Sequence, residues 1–179
     1  MSSQEADAKL IDTGDAGPVD AVPGGFEWRR GRYHVSTDQV RLDVEGTAAF
    51  LGTTYWAQGR AVSVIRRSID GSIAFGVYDG DVQVGFARAV TDRATFAWVC
   101  DVFIRDSHQG RGLGIWLMRC VLAHSELKDL RRWLLASTSA RGLYARLGFT
   151  PLAAPERFMQ IDTRPSAGGT TSGSNDAAG

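Results

Sequence analysis

Residues 103–124 read FIRDSHQGRGLGIWLMRCVLAH, and the character of the chain changes twice within them. Phe103 and Ile104 end an apolar, strand-like run. A polar loop rich in glycine follows, and from Ile115 onward Leu117, Val121 and Leu122 fall on one face of a helix. Glycine lets a backbone turn sharply and approach a ligand with no Cβ in the way. The amides of residues 110–115 can therefore converge on one anion, and the helix start adds unpaired N–H groups and a dipole worth about half a positive charge. The physical reading is a pyrophosphate site; the structural alternative is a plain turn joining a strand to a helix. Two familiar phosphate loops do not fit. A Walker loop needs Gly-Lys followed by Ser or Thr, where Gly112-Leu113-Gly114 stands instead. A dinucleotide fingerprint needs alternating strands and helices, whereas three strand-like runs precede this loop.

Those runs are IAFGVY (73–78), VQVGFARAV (82–90) and TFAWVCDVFI (95–104), separated by the turn signals Asp79-Gly80-Asp81 and Thr91-Asp92-Arg93. They predict an antiparallel meander. Upstream, Arg32 to Ser36 reads as a short strand, with Asp38 a cap or turn residue after it. Residues 43–57 place Val44, Ala48, Leu51 and Tyr55 at helical spacing, although Gly52 and the threonines beside it weaken the far end. A second short helix is expected over Ala61 to Ser68. Downstream of the loop, WLLAS (133–137) is a buried strand and SARGLYARLGF (139–149) a short helix closed by Gly148. Phe158 to Ile161 is a candidate last strand.

The chain of 179 residues, 44% of them apolar, has room for one packed domain, expected over residues 26–163. Residues 1–25, rich in Ala, Asp, Gly and Pro, and the small polar stretch 164–179 read as disordered tails. The net charge of zero conceals an asymmetry, because residues 26–163 hold 18 Lys and Arg against 14 Asp and Glu. That excess suits a polyanionic cofactor and equally suits an arginine-rich surface. No basic run interleaved with aromatics points to nucleic acid. Cys100 and Cys120 sit in apolar segments without metal-site or redox spacing, so they read as reduced core thiols and no metal is expected. The N-terminus lacks the order of a signal peptide, and no apolar run approaches the ~18 residues of a membrane span. A cytoplasmic protein is the expectation.

The segment Q-G-R-G-L-G resembles the acetyl-CoA signature of the GNAT N-acetyltransferase superfamily, Gln/Arg-x-x-Gly-x-Gly/Ala, at Gln109, Gly112 and Gly114. Leu143-Tyr144-Ala145-Arg146-Leu147-Gly148-Phe149 resembles that family's late L-Y-x-x-x-G-F segment, with Ala140 at the small position four residues earlier. The likeness extends over roughly Tyr33 to Ile161. It implies an α+β fold in three layers, with a mixed, mostly antiparallel, V-splayed sheet flanked by helices and pantetheine lying between the fourth and fifth strands. It also implies that Gln109, Gly110, Arg111, Gly112, Leu113 and Gly114 bind the pyrophosphate of acetyl-CoA through backbone amides, and that the backbone of Phe103 and Ile104 pairs with pantetheine. Arg111 is either near phosphate or simply solvated. Ser137 stands where the family often has asparagine and is a further candidate for contact with pantetheine or a water.

Acyl transfer from a thioester needs an uncharged amine, and an alkyl ammonium of pKa ~10.4 is only about one part in a thousand neutral near pH 7.4. Tyr144 is the acid that the resemblance implies for the departing sulfur. Asp101, a lone carboxylate in the run WVCDVFI, is either the general base or half of a structural ion pair with an arginine such as Arg88. Glu45 and His34 are weaker alternatives. Tyr55 and Trp56, where the first two helices meet, are candidates for the acceptor pocket or for core packing; Trp98, Trp116 and Trp133 are expected to be structural. The expected activity is transfer of acetyl from acetyl-CoA to a primary amine of a small molecule, by direct attack in a ternary complex. A protein lysine or N-terminal acetyltransferase and a non-catalytic acyl-CoA sensor are the competing readings. No membrane partner is expected, and a homodimer stays open.

Overall fold

The computed structural model describes Ala16, Gly17 and residues 19–163. Seven strands among these residues form one sheet in sequence order: β1 (Val19–Val22), β2 (Gly25–Arg30), β3 (Tyr33–Ser36), β4 (Ile73–Asp79), β5 (Val82–Thr91), β6 (Phe96–Ile104) and β7 (Arg132–Leu134). Every neighbouring pair is antiparallel except β6 and β7, which run parallel. The helices are α1 (Val44–Gly52), α2 (Val62–Asp70), α3 (Leu113–Ala123) and α4 (Arg141–Ala145). The predicted meander is thus β4 to β6. The first helix stops at Gly52, before Thr53 and Thr54, and Gly148 adopts φ +92 just past the last helix.

Alternation along the strands sends successive side chains to opposite faces. Phe75 and Ala87 join a core with Leu117, Val121 and Tyr144 on the α3 and α4 side, whereas Ala74, Phe86 and Phe103 join Leu51, Ile65 and Ile69 on the α1 and α2 side. Three layers result. Close strand-to-strand packing leaves no space at Gly85, where an added Cβ would lie 2.9 Å from the Phe103 carbonyl oxygen and 3.2 Å from Val77 Cβ. Gly85→Ala is expected to destabilise the fold by about 1–3 kcal/mol, as overpacking does, and a denaturant titration with unchanged slope but a lower midpoint would show it.

Two expectations are corrected. Residues 19–25 are not tail: β1 pairs with β2 from Val19–Trp28 to Val22–Gly25, and the Trp116 Nε1–H donates to the Ala16 carbonyl at 3.0 Å. The hairpin is held because Trp28 is 1% exposed and packs on Phe75 and His124. The remainder of the expected N-terminal tail, apart from Ala16 and Gly17, and the tail at 164–179 lie outside the described residues. Nor do Phe158 to Ile161 form a strand; they follow a single 3-10 turn (Pro155–Arg157), and Met159 and Ile161 are exposed.

His124, which follows α3, is buried against Phe26, Trp28 and Phe75, and its Nδ1 accepts the Glu126 amide at 3.2 Å. Burial holds its pKa below the ordinary 6.5. An unfolded chain therefore takes up this proton first as pH falls, so stability is complete above about pH 6.5 and declines below it. Tm is expected to drop between pH 7 and pH 5, and His124→Gln should flatten that dependence.

Candidate active site

The ladder between β5 and β6 pairs Phe86 with Phe103 and Arg88 with Cys100, so Ala87 faces both Asp101 and Val102. This is a bulge, and Asp101 takes φ +52, a left-handed conformation that costs a residue with a Cβ about 1 kcal/mol. The bulge falls within the stretch of β6 that has no neighbour on the β7 side. Pairing of β6 with β7 covers only Phe96–Arg132, Ala97–Trp133 and Trp98–Leu134, while β6 runs on to Ile104. Among the described residues, one backbone edge of residues 99–104 is left without a strand partner, as the splayed sheet predicts.

At the end of that edge lies the glycine loop. Gly110 and Gly112 have φ +74 and +72, and Gly112 stands at the N-cap of α3 without any side-chain cap. The backbone amides of residues 110–115 have no hydrogen-bond acceptor among the described residues; the first committed amide is that of Trp116, which donates to Gly112. Six N–H groups at the start of an 11-residue helix fit a pyrophosphate. Gln109 is different from the expectation. Its own amide donates to Asp106, and its side chain donates to the Ile104 carbonyl at 2.9 Å, so it ties the loop to the end of β6. Arg111 is exposed and donates to the Tyr33 hydroxyl (2.7 Å) and the Ser107 carbonyl (3.1 Å).

Sequence reasoning missed Arg30. From β2 it donates to the carbonyls of Arg111 (2.9 Å) and Gly112 (3.4 Å), with its guanidinium 4.9 Å from the Trp116 ring. Taking up these carbonyls ties the loop to β2. The strand that follows the expected tail therefore braces the glycine loop, and the alternation of Phe26 and Trp28 after Gly24-Gly25 is the signal that marks it.

A cavity of about 550 Å³ lies where the β6 edge, the segment 135–140 and the turn between α1 and α2 meet. Tyr55, Trp56, Asp101, Ser137 and Tyr144 all line it, so most of the candidates away from the loop come together. Tyr144 is 8% exposed, and burial raises its phenol above the ordinary value of 10.0. Tyr55 reaches across to the Thr138 hydroxyl at 2.6 Å, and both residues are exposed, so this contact spans the rim. Ser137 Oγ accepts the Ala140 amide at 3.1 Å and so holds the turn that leads into α4. Phe103, in contrast, turns its ring away and stacks on Phe50 at 4.0 Å between centroids.

Asp101 forms the ion pair that the sequence left open, and a second one besides. Its Oδ2 accepts from Arg88 Nε at 2.7 Å, and Arg60 Nη1 donates to Oδ1 and Oδ2 at 3.0 and 3.1 Å. Arg60 was not foreseen, nor was Trp98 as a cavity residue; Trp98 is 40% exposed and lines the same cavity. Glu45 pairs with Arg66 on the surface, and His34 stacks on Tyr78 beside Arg41; neither lines this cavity. Both cysteines are unpaired thiols.

A family model described as Acetyltransferase (GNAT) domain matches residues 70–151. A Gibberella zeae protein assigned as an acetyltransferase is 31% identical over 140 residues, covering 66% of this chain and 79% of that protein. A solved structure from Xanthomonas campestris pv. campestris, of a protein assigned to the GNAT family, is 42% identical with a TM-score of 0.72, covering 75% of this chain and 95% of the other. The chain belongs to the GNAT acetyltransferase family. A further relative, a Prochlorococcus marinus protein named as an uncharacterized N-acetyltransferase, is 31% identical over 126 residues, covering 66% of this chain and 69% of that protein. The GNAT assignment makes the chain an acyltransferase, and its α+β sheet is that of the family.

Proposed function

We propose that this GNAT domain transfers acetyl from acetyl-CoA to a primary amine of a small molecule, by direct attack in a ternary complex. One observation carries the reading: the six unpaired loop amides and the open edge of β6 lead from an anion site to a cavity that contains Tyr144. Residues 110–115 would hold the pyrophosphate, and the backbone of Phe103 and Ile104 would run beside pantetheine. Because Gln109 occupies the Ile104 carbonyl, that strand edge offers its remaining groups. Acetyl-CoA supplies a thioester carbon, open to an uncharged amine, and a thiolate leaving group.

The chain's own residues then have two tasks. Tyr144 keeps its proton at neutral pH, since burial raises its pKa, and can donate a hydrogen bond to the departing sulfur. Asp101 balances only one of the two guanidiniums of Arg60 and Arg88, and the surplus positive charge disfavours the ammonium form of an acceptor that brings no anion of its own. Asp101 accepts from both arginines through both oxygens, so we assign it the positioning of these cations, with solvent taking the amine's proton. The Tyr55 to Thr138 bridge across the rim supports a small acceptor over a peptide, which needs an open groove.

The test is thiol release from acetyl-CoA in the presence of amines, polyamines, amino acids and lysine peptides, with calorimetric titration of acetyl-CoA in parallel. Binding together with turnover of a small amine is expected. Turnover of lysine peptides alone would favour a protein acceptor. Binding with no turnover across the panel would favour a sensor, and absence of binding would remove the assignment of the loop.

A further inference from the structure

The cavity is asymmetric in charge and in the use of its donors. Among the described residues that line it, the charged groups are Arg60, Arg88 and Asp101, an excess of one positive charge. Arg60 uses Nη1 on Asp101 and Nη2 on the Trp56 carbonyl. Arg88 uses only Nε, on Asp101, and its two terminal nitrogens donate to no acceptor among the described residues. Its side chain is 11% exposed, yet these nitrogens are not among the fully enclosed polar atoms left without a partner. They therefore keep access to the cavity. A guanidinium held at Nε, with both terminal nitrogens free, presents a planar pair of donors that matches the two oxygens of a carboxylate or phosphate.

Tyr55, Trp56 and Trp98 line the same cavity, and Tyr55 and Trp56 meet edge to face at 5.0 Å between centroids. An aromatic wall favours an apolar body. We infer that the acceptor is an amine carrying an oxyanion, carboxylate or phosphate, on an apolar body: Arg88 binds the oxyanion and the aromatic wall receives the body. The inference rests on the acetyltransferase reading and specifies its substrate class. It also accounts for the bulge, because the strained turn at Asp101 places the carboxylate that holds Arg88 by its Nε and leaves the terminal pair free.

The experiment uses the full chain and matched acceptors that differ only in the anionic group: L-phenylalanine against 2-phenylethylamine, L-leucine against isopentylamine, and phosphoethanolamine against ethanolamine. Each pair is read by kcat/KM for thiol release and, with CoA present, by the shift in Tm. The oxyanion member is expected to be preferred by about ten- to a hundredfold, the worth of a hydrogen bond to a charged group. The first two pairs report on carboxylate and the third on phosphate. In Arg88→Met the ratio within the preferred pair should collapse toward one through KM, and Arg88→Lys should recover part of it. A purely structural role for Arg88 would lower both members alike and leave the ratio, which overturns the proposal. Equal use of both members by the native chain also overturns it while leaving acetyl transfer intact. If nothing is turned over, equal Tm shifts from both members of every pair overturn it on binding alone.

Discussion

Tyr144→Phe is expected to lower kcat about a hundredfold, within the range of general acid catalysis, and to leave acetyl-CoA binding in place. The substitution removes one hydroxyl from a residue that is 8% exposed and keeps the ring that packs edge to face on Phe149 at 5.8 Å. The fold should therefore be preserved. The free thiol has pKa ~8.5 and leaves readily, so the phenol's contribution is a hydrogen bond to developing negative charge. Because burial raises the phenol's pKa, its protonated form persists through neutral and mildly alkaline conditions. Tyr144 should then cause no fall in kcat below about pH 10, the ordinary phenol value. Steady-state rates at saturating acetyl-CoA, with calorimetric affinity for the same variant, check both halves. An unchanged kcat would remove Tyr144 from the reaction.

Asp101→Leu is expected to cost about 3–5 kcal/mol, because it leaves two guanidiniums without their shared counter-charge. A further penalty of up to about 1 kcal/mol comes from placing leucine at φ +52, beyond what aspartate already bears there, because leucine has no polar group to bond locally. For a domain of this size the lower figure alone corresponds to a fall in Tm of roughly 10 °C. Asp101→Asn separates the two contributions, since asparagine tolerates the left-handed region and keeps one acceptor oxygen. It should lose less stability than the leucine variant, with turnover reduced through KM as Arg88 loses its anchor. If Asp101→Asn instead kept its Tm and lost about a thousandfold or more in kcat, the carboxylate would be the proton acceptor itself.

The glycine loop was legible in the sequence because its physics is local. Gly110, Gly112 and the helix beginning at Leu113 fix the directions of their own amides, whatever the rest of the chain does. The meander and the helices were legible for the same reason, since period 2 and period 3.6 are properties of neighbouring residues. Tyr144 became recognisable through the second motif, which is also a short continuous segment. Register across the sheet decided the rest. The bulge at Asp101 depends on how β5 counts against β6, and the clamp joins Arg60 to a carboxylate 41 residues later. Arg30 meets the loop across 82 residues of sequence, by way of a hairpin whose first strand is only four residues long and largely exposed, and so carries no strong pattern. Ion pairs between residues so far apart form only when the chain's long-range pairings are in place, and a linear sequence gives no distance between them. The sequence by itself thus determined the glycine loop at the start of α3 and the family of the fold. Only the tertiary structure decided which charges stand in the cavity beside the β6 edge and which donors there have no acceptor among the described residues.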